Sequence, residues 1–405
     1  MKMKDMKITF SVKCGNSCIY AEKNSQKMLE CNIYNGEIIN CDVYYDFNER
    51  PLTLRAVVSE KDVVEIILMS HRIELKVNQR VCDEQWPAGN RYLDINDEIK
   101  GYFVDFEVEE YTYKEEQPPS VIDIFYNAEG WRPEKNVFVG DCMPYVNGDR
   151  YHVMYLRDRN HHRSKWDLGA HQWAHISTTD FNEWQIHPIA VPITKAEDGS
   201  ICTGSWIKNN DIEYLFYTVR KTDASPALIL RRVSDDGYHF EKDESFSFCL
   251  SEKYNLKDAR DPKVIKGDDG LFHMFLTTHL VKENRGCLAH LVSENLHAWK
   301  ELEEPIYISD DNTPPECPDY IKFNGYYYLI LSLWGESCYM YSKNPFDGWK
   351  KPQNSKIACG VVPKGAVWED KIVFAGFKPE AKGRYGGGLT FKKATNDENG
   401  ILIFE

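Results

Sequence analysis

The sequence predicts an all-β chain, a five-bladed β-propeller preceded by a β-sandwich. Three observations carry this. Helical periodicity is scarce, short alternating apolar runs recur behind turn signals, and those runs belong to a longer repeat. The runs are YHVMYL (151–156), EYLFYTV (213–219), LFHMFLTT (271–278), YYYLILSL (326–333) and KIVFAGF (371–377), preceded by NGD, NND, GDDG, FNG and WED. Apolar alternation behind such turn residues is the pattern of a hairpin. Each of the first four runs is followed by an aromatic after a further turn: Trp184, Phe240, Trp299 and Trp349, at steps of 56, 59 and 50 residues. A repeat of this length holds about four strands, the content of one propeller blade. Counting KIVFAGF as the last unit gives five blades. A large sandwich with accidental spacing is the alternative.

Residues 1–113 show no blade repeat but are strand-rich, with VVEIILMS, HRIELKVNQRV and GYFVDFEVEEY. They read as a separate β-sandwich. The charged, proline-bearing stretch KEEQPPS opens a linker over 114–130, leaving 131–405 for the propeller.

Composition narrows the function. The chain has 405 residues, 49 Lys+Arg against 63 Asp+Glu, and a formal charge of −14. That balance disfavours nucleic acid and anionic membranes, whose attraction needs a basic surface. Aromatics at 13% suit strands and sugar-stacking platforms alike. The 12 cysteines are scattered, without the density of a disulfide framework. Cys14 and Cys18 lack a matching pair at zinc spacing, so packing is the simpler reading. The N-terminus carries no signal-peptide pattern and no apolar run is long enough to span a bilayer, so a cytoplasmic location with reduced thiols is expected.

The stretches upstream of the hairpins include VFVGDCMPY (137–145), ICTGSWI (201–207), KDARDPKVI (257–265) and PECPDYI (315–321). Three carry a carboxylate near the same place in the repeat: Asp141, Asp261 and Glu316. In a propeller the innermost strands surround a central channel, so these acids are expected to share one pocket. Crowded carboxylates raise at least one pKa, and glycoside hydrolysis needs one protonated and one ionised acid. Alone, each acid would read as a turn or cap residue. Arg260 would keep a neighbouring carboxylate ionised or bind a substrate hydroxyl.

At these motifs, GDCMPY, ARDPKV and PECPDY, the chain resembles glycoside hydrolase family 32, the β-fructosidase group of invertases, levanases and inulinases. CTGSWI with the following FYT, and QWAHISTTDFNEW (172–184), are similar to two further segments of that family. The resemblance spans about 137–377. It implies a five-bladed propeller and a retaining mechanism, with Asp141 as nucleophile, Glu316 as acid/base and Asp261 as transition-state stabiliser. Two departures stand out. The family's first motif usually reads Trp-Met-Asn-Asp-Pro-Asn-Gly. Here Gly140 stands for the Asn before the Asp, and Cys142, Met143 and Pro144 follow, which changes the contacts around the sugar. The family also places its sandwich after the propeller, whereas here HRIELKVNQRVCDEQWP (71–87) resembles the family's sandwich strand moved to the front.

Around the pocket, the long segment LRDRNHHRSKWDLGAHQWAH (156–175) is rich in His, Arg and Trp. Trp166, His171, Trp173, His175, Ser205 and Trp334 are candidate substrate-binding residues, with folding of the loop on itself or blade packing as the competing reading. His161, His162, His171 and His175 fit no standard metal spacing, so no metal and no cofactor are expected. The Gly-rich GRYGGGL (383–389) lacks the Lys-Ser/Thr of a phosphate loop and reads as a tight turn or bulge. A small carbohydrate is the expected partner. An inverting arabinanase- or xylosidase-type enzyme, a transferase, and a carbohydrate-binding propeller without turnover are the alternatives.

Overall fold

The structure, a computed structural model, describes residues 5–13, 18–23, 25–44, 51–69, 72–85, 100–101, 104–112, 131–133, 137–159, 171–192, 200–220, 225–379 and 385–405. No helix occurs among them, and the chain is all-β. The predicted linker, Trp166, His161, His162 and Cys14 lie outside these residues.

Two compact units emerge. The first holds ten strands: β1 (Met6–Ser11), β2 (Cys18–Lys23), β3 (Gln26–Tyr34), β4 (Ile38–Val43), β5 (Leu52–Val57), β6 (Val63–Leu68), β7 (Ile73–Val77), β8 (Arg80–Gln85), β9 (Lys100–Gly101) and β10 (Val104–Glu110). They form two five-stranded sheets, ordered β10-β1-β6-β7-β8 and β5-β4-β3-β2-β9. Alternate residues of both sheets meet in one apolar core: Ile8, Phe10, Ile66 and Leu75 from the first, Leu29, Cys31, Ile39 and Leu54 from the second. Asn78 and Gln79 both take positive φ between β7 and β8, the two-residue turn whose twist matches its strands.

The second unit is a succession of antiparallel meanders. The first sheet runs β11 (Val137–Asn147), β12 (Arg150–Arg159), β13 (Gln172–Thr178), β14 (Gln185–Val191), and the second β15 (Ser200–Asn209), β16 (Ile212–Arg220), β17 (Leu228–Ser234), β18 (Glu241–Phe248). The third holds β19 (Arg260–Lys266), β20 (Phe272–Leu280), β21 (Arg285–Ser293), β22 (Lys300–Glu301) and β23 (Tyr307–Ile308), the last two both pairing with β21. The fourth is β24 (Glu316–Phe323), β25 (Tyr326–Leu333), β26 (Glu336–Ser342), and the fifth β27 (Val361–Trp368), β28 (Lys371–Lys378), β29 (Gly388–Asn396), β30 (Leu402–Phe404). The five apolar runs of the sequence are the second strands of these sheets.

Neighbouring sheets touch in chain order. Tyr145 stacks on Trp206, with ring centroids 4.3 Å apart, joining the first to the second. Ser205 Oγ accepts the Val264 N–H at 2.8 Å and donates to Pro262 O at 2.9 Å, joining the second to the third. Lys263 Nζ meets Asp319 Oδ1 at 2.5 Å, and the Gly365 N–H donates to Asp319 Oδ2 at 2.7 Å. The fifth sheet returns to the first, where Val139 and Gly386 exchange backbone hydrogen bonds of 2.7 and 2.9 Å. A Cβ on Gly386 would lie 1.5 Å from Lys378 O, so only glycine fits this close approach. The later halves of β11, β15, β19, β24 and β27, among them Met143–Tyr145, Lys263–Lys266 and Asp319–Lys322, together line a cavity of about 380 Å³.

Candidate active site

The three acids lie on three of these strands, ahead of the residues that line that cavity, and a shared backbone irregularity aims them. In β11, β19, β24 and β27 two residues oppose one on the next strand: 140–141, 261–262, 317–318 and 362–363. Each is a β-bulge, which bends the strand and re-aims its side chains. In the last three, the first bulge residue is left-handed, with φ of 56° at Asp261, 49° at Cys317 and 41° at Val362. That conformation is costly for residues other than glycine. Pro262, Pro318 and Pro363 follow, at a place where the ladder is already interrupted and a missing N–H costs little. The odd settings of Asp261 and Glu316 in the sequence are these bulges.

The register corrects one expectation. The acids do not occupy one equivalent position but three successive ones. Glu316 lies just before its bulge, Asp261 is the first bulge residue, and Asp141 is the second. They converge nonetheless, around Cys317. Its N–H donates to Asp261 Oδ2 at 3.1 Å, and its thiol donates to Asp141 Oδ2 at 3.6 Å. Glu316 is its chain neighbour. Thr203 Oγ1 donates to Asp261 Oδ1 at 2.6 Å.

Arg260 ties the set together. Its Nη2 donates to Glu316 Oε1 at 3.0 Å, its Nε lies 3.7 Å from Asp261 Oδ2, and its Nη1 donates to the Asp258 carboxylate at 2.8 Å. Burial opposes the charge of this guanidinium, but Asp258, Asp261 and Glu316 outweigh it and hold the pKa above the usual arginine value. The Glu316 side chain is 41% exposed, whereas Asp261 is buried.

Asp141 is half-buried. Burial, then the negative charges of Asp261 and Glu316, push its carboxyl up to about 7, against the opposing pull of Lys364 and the Cys317 thiol. Lys364 is itself buried, with Nζ donating to Gly204 O at 3.1 Å. Burial and the adjacent carboxylates push the Cys317 thiol well up, so it stays protonated and acts as a donor. The chemistry on offer is a cluster of carboxylates, with the proton affinity of Asp141 raised by its surroundings, beside the Arg260 guanidinium, the arrangement acid–base chemistry on a neutral substrate uses.

The other predicted residues divide. His171 is buried, its ring 4.9 Å from that of Tyr385. Trp173, expected to stack on a sugar, is fully buried; its indole N–H donates to Cys202 O at 3.0 Å, and the ring packs between sheets. Ser205 spends its hydroxyl on the Pro262 and Val264 backbone, stapling β15 to β19. His175 is fully buried within the first sheet, not at the acids. Its Nε2 lies 2.9 Å from His152 Nδ1 and 3.0 Å from the Tyr145 hydroxyl. Trp334, 77% exposed, occupies the turn between β25 and β26 with φ of 54°. For Trp173, His175 and Ser205 the physical cause is one: inward alternation on a strand buries a residue just as well against the next sheet as against the cavity.

His152, His175 and His187 have ring nitrogens within 4.8 Å of one another, close enough to share a metal ion. Burial lowers all three, His152 to about 3 and His187 to about 4, so the rings are neutral. His187 Nε2 pairs with Ser177 Oγ at 2.8 Å, so the cluster also closes as a hydrogen-bonded network. Sequence reasoning passed over Cys317, Thr203, Lys364 and Tyr385. The first two lie inside motifs already singled out, and VVPKG repeats the Pro-Lys of ARDPKV, the available signal for Lys364.

Comparison with known proteins follows the same division. The chain is 26% identical over 256 residues to the sucrose-6-phosphate hydrolase of Escherichia coli, covering 61% of this chain and 48% of that protein. It is 30% identical over 217 residues to the same-named protein of Vibrio alginolyticus, covering 50% and 40%. The chain thus spans about half or less of the length of these relatives. Among solved structures, fructan 1-exohydrolase IIa from Cichorium intybus aligns with a TM-score of 0.56 and 18% identity, over 69% of this chain and 60% of that one. Sucrose-6-phosphate hydrolase from Lactobacillus gasseri aligns at 0.54 and 17%, over 67% and 62%. These structures share the fold. Residues 133–371, more than half of the chain and the segment that carries all three acids, match the glycosyl hydrolases family 32 N-terminal domain, and the chain belongs to that family.

Proposed function

We propose that this protein is a retaining glycosidase acting on a β-fructofuranoside or a related short oligosaccharide, built on a five-bladed propeller with a β-sandwich in front. The observation that carries this reading is the convergence of Asp141, Asp261 and Glu316 on Cys317 and Arg260. Membership of the family and the sucrose-6-phosphate hydrolase and raffinose invertase names of its relatives support it.

In the proposed mechanism the ionised Asp141 attacks the anomeric carbon while Glu316 protonates the leaving oxygen. Glu316 then takes a proton from water as that water displaces Asp141. Glu316 is suited to proton exchange because it is the most exposed of the three and is oriented by Arg260. Asp261 has one oxygen on Thr203 and one on Cys317, so it is fixed in place to accept hydrogen bonds from sugar hydroxyls. Asp141, raised to about 7, is poised to be ionised by a modest change in its surroundings. A cytoplasmic location and a small-carbohydrate partner belong to the same reading.

The test is a panel of sucrose, sucrose 6-phosphate, kestose and aryl fructofuranosides, with product anomers followed by NMR. Turnover with retained configuration is expected. Inversion would exclude the covalent route through Asp141 and favour the arabinanase-type alternative. Binding without turnover of any member would favour a carbohydrate-binding protein.

A further inference from the structure

The wall beside Asp141 is built in an unusual way. Gly140 contributes no side chain there, and an atom added at its Cβ position would lie 2.6 Å from Cε2 and Cζ of Tyr385. The phenol ring therefore occupies the space that any residue 140 side chain would need. Tyr385 reaches this place from the last sheet, whose Gly386 is bonded to Val139 through both backbone groups. The ring is further fixed by His171 at 4.9 Å and by the edge of Phe377 at 5.4 Å. The atom that carries the hydroxyl is thus one of those nearest to Gly140, the chain neighbour of Asp141.

We propose that Tyr385 is a sugar-contacting, specificity-determining residue, its hydroxyl donating to a hydroxyl of the furanosyl ring seated against Asp141. This rests on the glycosidase reading above. The phenol is suited to the role. Burial, then the charges of Asp141 and Asp158, raise its pKa, so it remains a neutral donor across the working range. Tyr385 is only partly buried. Gly140 and Tyr385 act as a pair: a larger residue 140 would evict the ring, and without the ring glycine would leave a gap.

The experiment measures kcat and KM on short fructosides, fructose binding by calorimetry, and melting temperature, for wild type, Tyr385→Phe, Gly140→Asn, Tyr385→Ala and the Tyr385→Ala/Gly140→Asn double variant. Tyr385→Phe removes one neutral hydrogen bond, so kcat/KM and fructose affinity should each fall roughly 3–10-fold, with little change in melting temperature. Gly140→Asn alone should lower the melting temperature, and the double variant should recover activity relative to Tyr385→Ala. If wild type binds and cleaves fructosides while Tyr385→Phe matches it in KM and affinity, the inference fails and the glycosidase reading stands. If wild type neither binds nor cleaves any member of the panel, both fall.

Discussion

The same cavity-lining strands carry two charged clusters with opposite logic. At and before the bulges lie Arg260, Glu316, Asp261 and Asp141, three acids against one guanidinium. One residue past the bulges lie Lys263, Asp319 and Lys364; Lys263 pairs with Asp319, while Lys364 donates to Gly204 O and pulls on Asp141. Asp319 is 1% exposed, yet Lys263 pairs with it at 2.5 Å, and the Tyr320 and Gly365 N–H groups donate to it at 2.9 and 2.7 Å. Asp141 has a weak thiol donor and two like charges nearby, and its pKa rises. A buried acid that is fully partnered holds sheets together, while one left under-compensated is available for chemistry.

The largest expected effects break the first cluster. Asp141→Ala and Glu316→Gln should each lower turnover by ~10³-fold or more, about 4 kcal/mol of barrier, with folding retained. Glu316→Gln should lose least on aryl fructosides whose leaving group needs no proton. A variant with near-normal rate on sucrose would remove that residue from the mechanism.

Breaking the second cluster should act on stability instead. Asp319→Ala strands Lys263 and leaves two backbone N–H groups unpaired, at a cost of about 3 kcal/mol in denaturant unfolding. An unchanged midpoint would mean that Asp319 is not the partnered, structural acid of the comparison.

The sign of the Asp141 effect sharpens the contrast. Its folded pKa lies above the ordinary aspartate value, so the folded state holds the proton more tightly between about pH 4 and 7. Stability therefore falls as pH rises through that window, and the penalty is full above it. Asp141→Asn should raise the melting temperature at pH 8, by a free energy on the order of 2 kcal/mol, and change little at pH 4. Equal effects at both pH values would sink the assignment.

The smallest expected effect concerns the thiol. In the proposed mechanism ionised Asp141 attacks, so kcat/KM should fall on the acid side of about 7. Cys317→Ala removes a donor that favours the carboxylate, and should move that limb upward by roughly half a unit. A limb that stays in place would mean the thiol does not act on Asp141.

Much of this was legible from residues alone. The hairpin runs predicted second strands: YYYLILSL is β25 to the residue, and KIVFAGF is β28 but for its last lysine. The motifs around Asp141, Asp261 and Glu316 singled out acids that do lie together. The failures were of orientation. Trp173 and His175 are in β13, the third strand of its sheet, and Ser205 is in the innermost β15; period-two alternation says that they point inward without saying against what. His152 and His187 joined His175 from separate strands of the first sheet, a pairing that only register supplies.

The sequence by itself determined the strands, their order and the presence of three acids in stiff, proline-flanked settings, because alternation, turn residues and proline act over a few residues of chain. Tertiary structure decided the rest. The bulges set acids from three register positions on one cysteine, Lys364 crossed from the fifth sheet to bias Asp141, and Tyr385 arrived from the far end of the chain to fill the space above Gly140. Those outcomes depend on which strands meet, and no local pattern encodes a meeting between residues so far apart in the chain.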